Sequence, residues 1–139
     1  MNRTQFRWVL LLLVLALGAC AAAKKDDGLR ARVFHYASAI RWNEFEQALK
    51  FIDPAVLEQK PFDEKLAARW KQVQVARYFE GPQTVDAEGR MTQTVQIELV
   101  DRSTQTVRNI VDRQRWRFDP VAGLWWLESG LPDLEQAPR

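Results

Sequence analysis

Beyond Trp70 the spacing of apolar residues changes from about 3.6, the period of a helix, to about 2, the period of a strand, and this switch confines the chain to one kind of architecture. Before it, Leu29, Val33, Tyr36, Ala37 and Ile40 recur as one helical face, and Phe45, Ala48, Leu49 and Ile52 as a second. Asp27 stands where a cap for the first helix belongs. Asn43 followed by Glu46 has the form of a capping box, so a helical break is expected near Arg41 to Asn43. Asp53 with Pro54 repeats the start signal for a short turn of helix that Pro61 closes, and Asp63 to Ala68 has the composition of another. After the switch, Val73, Val75, Tyr78 and Phe79 make a first strand, ended by Gly81 and Pro82. Met91, Val95, Ile97 and Leu99 alternate with Thr92, Thr94, Gln96 and Glu98 in a second. Thr106 to Phe118 is a third, long enough that a bulge or bend is expected in it, and Asp119 to Gly123 turns the chain into a fourth, Leu124 to Glu128. Helices first and antiparallel strands after predict an α+β fold: amino-terminal helices packed on a curved antiparallel sheet of about four strands.

With 139 residues, 47% of them apolar and 27% charged, the chain fits one globular domain. One cysteine and one histidine are too few for an internal disulfide or a Cys/His zinc cage. No metal or cofactor is expected, and no GxGxxG, P-loop, GxSxG or HExxH pattern is present.

The first residues read as an address. Arg3 and Arg7 open a basic start, an unbroken apolar run goes from Trp8 to Leu17, and small Gly18 and Ala19 follow, the layout of a secretory signal. Extended through Ala23, the uncharged run has 16 residues, short of the roughly 20 that a bilayer-spanning helix needs. The four residues Leu17, Gly18, Ala19 and Cys20 resemble the lipobox of bacterial lipoproteins. The resemblance implies cleavage before Cys20, a diacylglyceryl thioether and an amide-linked acyl chain. Several chains together hold a protein stably at a membrane. Ala21 and Ala22 follow where an Asp would imply retention at the inner membrane, so the implied location is the outer membrane, facing the periplasm. The expected division is a signal peptide at 1–19, the lipidated Cys20 with a tether to residue 28, a domain from 29 to 134, and a tail at 135–139. Loss of Arg3 and Arg7 leaves eighteen basic against eighteen acidic residues, without the basic footprint of a nucleic-acid binder.

The broken helix from Leu29 to Ile52 and the terminal hairpin with aromatics on both arms (QRWRFDPVAGLWWLESGLP) resemble the nuclear transport factor 2-like superfamily, the cystatin-like α+β roll. The resemblance implies a cone, with the helix against the concave sheet face and a pocket between. If the second hairpin turns around Ser103 and Thr104, Val100 pairs with Val107, Ile97 with Ile110, Val95 with Asp112, Gln93 with Gln114 and Met91 with Trp116. The inward set is then Val95, Ile97, Leu99, Ile110, Trp116 and Phe118, interrupted by Gln93, Asp112 and Gln114, so Gln93, Asp112, Gln114 and Trp116 are the candidate pocket residues. An inward Asp112 would have a raised pKa and could carry a proton, as in the ketosteroid isomerases of that superfamily. The alternatives are a bulge that turns it to solvent or a pairing with an Arg. Neither Tyr36 nor Tyr78, the only tyrosines, is placed near it by sequence alone. His35 is expected at the surface or at the core's boundary. Arg113, Arg115 and Arg117 share one face, read as a solvated outer face or as a stripe for an anionic ligand. Consecutive Trp125 and Trp126 must point to opposite sides of their strand, making the outward one a candidate partner surface. The functional expectation is a lipid-anchored periplasmic module that binds a small apolar ligand or a protein partner without catalysis. The alternatives are a small isomerase-like enzyme using Asp112 and a structural subunit, for example a homodimer, of an envelope assembly.

Overall fold

A computed structural model describes residues 3–136. Helix α1 runs from Arg3 to Arg41, followed by α2 (Phe45–Ala48), a 3-10 turn (Leu49–Phe51), α3 (Pro54–Gln59) and α4 (Glu64–Gln72). The strands are β1 (Val73–Glu80), β2 (Thr84–Val85), β3 (Met91–Asp101), β4 (Val107–Asp119) and β5 (Leu124–Leu127). They form one antiparallel sheet in the order β1-β3-β4-β5, with the two-residue β2 added to β3, and the helices pack against its curled face. This is the α+β architecture that the change of period predicts. The leader expected at 1–19 and the tail at 135–139 each extend outside the described residues.

Helix α1 buries Leu29, Val33, Tyr36, Ala37 and Ile40, as the spacing requires. It does not begin at Asp27, however. The residues expected to be a tether, Ala21 to Gly28, are helical and continuous with it. Consecutive alanines are the best helix formers, Asp26 pairs with Arg30 one turn on, at 2.7 Å, and Asp27 lies inside the helix instead of capping it. Asn43 does not cap α2 either. It adopts a left-handed backbone, φ 59°, at the end of α1, where the amide of Glu44 reaches the carbonyl of Ala39 (2.8 Å) and that of Asn43 reaches Ile40 (3.1 Å). These bonds satisfy carbonyls that the helix end would otherwise orphan. The Asn43 side chain is thereby freed for β1: Nδ2 donates to the carbonyl of Val73 (2.8 Å) and Oδ1 accepts from the amide of Val75 (3.0 Å). Asp53 caps α3 and Asp63 caps α4 by accepting from Ala55 and Leu66. Helix α4 continues to Gln72, beyond the Ala68 expected, and its fully buried Trp70 stacks on Phe45.

The β3–β4 pairing follows the expected register, from Val100 with Val107 to Met91 with Trp116. No bulge interrupts β4 there. Its length comes from serving two partners, β3 up to Trp116 and β5 from Trp116 to Asp119. The bulge lies in β1, between Val75 and Arg77. One extra residue reverses which face the side chains take, so odd-numbered Val73 and Val75 and even-numbered Tyr78 all reach the core. Beyond β5 the tail folds back along β4. The Gln136 side-chain amide accepts from the amide of Val111 (3.0 Å) and donates to its carbonyl (2.8 Å).

Candidate functional site

Gln93, Asp112, Gln114 and Trp116 are all buried on the concave face, as the register predicts, and Asp112 retains only 5% of its exposure. The reading in which Asp112 turns outward is thus overturned, because β4 has no bulge against β3 to rotate it. Gln114 ties the group together. Its Nε2 donates to Asp112 Oδ2 (2.8 Å) and to the hydroxyl of Tyr78 (2.9 Å). Its Oε1 accepts from Gln93 Nε2 (2.8 Å) and, at 3.4 Å, from the Trp116 indole. Tyr36, wholly buried, meets Trp116 edge to face at 5.6 Å. Its hydroxyl and Gln93 Oε1 have no hydrogen-bond partner.

Burial raises the pKa of Asp112 to about 6, although the bond from Gln114 acts in the opposite direction. Burial first, and then the Asp112 charge, raises the Tyr36 hydroxyl well above its ordinary value. Burial likewise raises Tyr78, against the opposing bond from Gln114. Sequence reasoning missed both tyrosines. The signal for Tyr78 was the parity conflict within β1, which only a bulge resolves. Chemically, the cluster can hold a proton near pH 6, but none of the cavities described below is lined by Asp112, Tyr36 or Tyr78.

On the convex face, Arg115 and Arg117 are tied into the fold. Glu128 accepts from Arg115 Nε (3.0 Å) and lies 3.3 Å from Arg117 Nε and 3.2 Å from Arg90 Nε. Arg117 also donates to Asp53 (2.6 Å), which joins β4 to the start of α3. The stripe of three arginines is therefore largely an outer ion-pair network. Arg113 and Arg115, with Thr84, Thr92, Thr94, Ser129 and the candidate residues Gln93 and Gln114, line an open groove of about 620 Å³. Trp125 and Trp126 take opposite sides of β5, as expected. Trp125 is buried beside Phe118, whereas Trp126 is half-buried with the Arg32 guanidinium 5.0 Å from its ring. Within the expected domain, 29–134, the tryptophan that is bare is Trp42, 76% exposed. His35 lies on the exposed side of α1 against Phe34.

A second cavity, of about 410 Å³, lies between α3, α4 and the returning tail, and periodicity gave no hint of it. Its apolar wall includes Ile52, Val56, Leu57, Leu66, Leu131 and Leu134. Arg69 pairs with Glu135 at its rim. The size is that of a small-molecule site, and the rim is polar, with Gln59, Lys60, Glu128 and Asp133 beside the apolar wall. Among the described residues no group of His, Cys, Asp and Glu could hold a metal ion, and no helix is long and apolar enough to cross a membrane. Cys20 is exposed on α1, one turn ahead of Lys25, where the helix meets the β4–β5 hairpin. Comparison with family models, curated proteins and solved structures finds no match to this chain.

Proposed function

We propose that this chain is a non-catalytic binding module anchored by lipid on Cys20 to the periplasmic face of a bacterial outer membrane, with a small apolar ligand held between α3, α4 and the tail. The observation that carries the anchor is the position of Cys20. The only thiol in the chain is exposed, directly behind Leu17, Gly18 and Ala19, and just ahead of the first residue docked on the domain. The apolar cavity supports binding, and the enclosure of Asp112 by Gln114 and its neighbours supports a structural role for that carboxylate. Cys20→Ser tests the anchor: the wild-type product should carry acyl mass and fractionate with membranes, and the variant should do neither. Equal processing and fractionation of the two would refute it. Native mass spectrometry of protein extracted from the envelope tests the ligand. An apolar species released from wild type and reduced in Leu57→Glu supports the site, and an empty protein opposes it.

A specific observation favours a second reading. Asp112, with its raised pKa, shares Gln114 with a tyrosine hydroxyl, a pairing that could serve a small proton-transfer enzyme. Asp112→Asn that leaves turnover of hydrophobic ketones unchanged would remove that reading.

A further inference from the structure

We infer that the β4–β5 turn is the membrane-facing end of the domain and that Val121 sits among phospholipid headgroups. The inference rests on the acylation of Cys20 proposed above. Three contacts fix the start of the domain to this turn. The Trp125 indole donates to the carbonyl of Lys25 (3.0 Å), and the Lys25 ammonium lies 4.6 Å from the Phe118 ring and 5.3 Å from that of Trp125. Phe118 and Trp125 pair one position in from Asp119 and Leu124, which close the turn.

The distance from anchor to turn is short. Lys25 lies five helical steps beyond Cys20, about 7.5 Å along the helix that the structure shows. The headgroup layer of one leaflet is about 5–8 Å thick. An acylated Cys20 lies at the inner boundary of that layer, so Lys25 and the turn beside it cannot clear the headgroups by much. The turn is also shaped to project. Asp119 accepts from the amides of Val121 (2.9 Å) and Ala122 (3.1 Å), Gly123 supplies a positive φ of 69°, and Val121 is left 96% exposed. An isopropyl group held outward by a capped turn has nothing within the domain to pack on. Beside the headgroup–acyl boundary it has lipid. The other end of α1 is fixed at the far end of the sheet, where Asn43 binds Val73 and Val75, so bare Trp42 faces away from the membrane.

The test uses the full chain, processed in a bacterium with an outer membrane and reconstituted into phosphatidylethanolamine–phosphatidylglycerol vesicles. Acylation blocks the Cys20 sulfur, so a new cysteine is the only labelling site. Val121→Cys and, as a control, Val107→Cys at the opposite end of β4, also exposed, are each labelled with a polarity-sensitive fluorophore. The label at 121 should shift to the blue and be quenched by lipid-borne nitroxides, and the label at 107 should report water. Equal, water-like emission from both, on protein whose mass shows acylated Cys20, would overturn the orientation while leaving the anchor intact. A mass without acyl chains would overturn both.

Discussion

Replacing Asp112 with Asn should make the protein's stability less dependent on pH, in a direction and by an amount that follow from burial. The carboxyl titrates near its ordinary 3.8 when unfolded and at about 6 when folded. The folded state therefore binds more protons between those values, and stability declines as pH rises through the window. A shift of about two units is worth roughly 3 kcal/mol, absent below about pH 3 and complete above about pH 7. Asn keeps an oxygen that can accept from Gln114 Nε2 but introduces an NH₂ that needs acceptors, at a cost of about 1–3 kcal/mol if they are missing. That cost is the same at every pH. The measurement is urea unfolding of both proteins at intervals from pH 4 to pH 8. The difference between variant and wild type should swing by roughly 2–3 kcal/mol in favour of the variant as pH rises. In thermal unfolding this corresponds to about 4 °C per kcal/mol for a domain of this size. A flat difference would show that Asp112 is not buried as a charge, and a swing the other way would show that the folded state favours its ionised form.

Further outcomes follow from single contacts. Asn43→Gly keeps the left-handed backbone but removes both bonds to β1, so it should cost about 1–3 kcal/mol in urea unfolding and speed hydrogen exchange at the Val75 amide. Trp125→Phe preserves an aromatic beside Phe118 but loses the bond to Lys25, and exchange should quicken across Ala21 to Gly28 while β3 stays protected. Glu128→Gln weakens the pairing with Arg90, Arg115 and Arg117, and the loss of stability, about 1–2 kcal/mol, should shrink as salt is raised.

The part of the fold that could be read from sequence is the part governed by period. Val95, Ile97 and Leu99 alternate without interruption, and Ser103 with Thr104 fixes the turn, so the register through Val95 and Asp112 follows and puts Gln93 and Gln114 side by side. The rest depends on features that periodicity does not carry. The bulge in β1 is visible only as a parity conflict between Val75 and Tyr78, and without it Tyr78 cannot be brought to Gln114. Asn43 and Glu46 match a capping box, but a Schellman ending of α1 takes Asn43 first. Ala21 to Gly28 has no large apolar residue and reads as a tether. Its helix is set by propensity and by docking at Lys25 against Trp125, a residue a hundred positions away. The cavity behind the tail depends on where the tail returns, which Gln136 fixes from a distance.

Two primary amides close rims that the sheet would otherwise leave open: Asn43 at the start of β1 and Gln136 where β4 extends beyond β5. Each offers one donor and one acceptor to the backbone, as a neighbouring strand would, and then stops, since a side chain cannot be extended into a ladder. Were the chain held on a lipid sheet as proposed above, it would meet copies of itself far more often than in solution, and rims blunted in this way would let such copies crowd without zipping together.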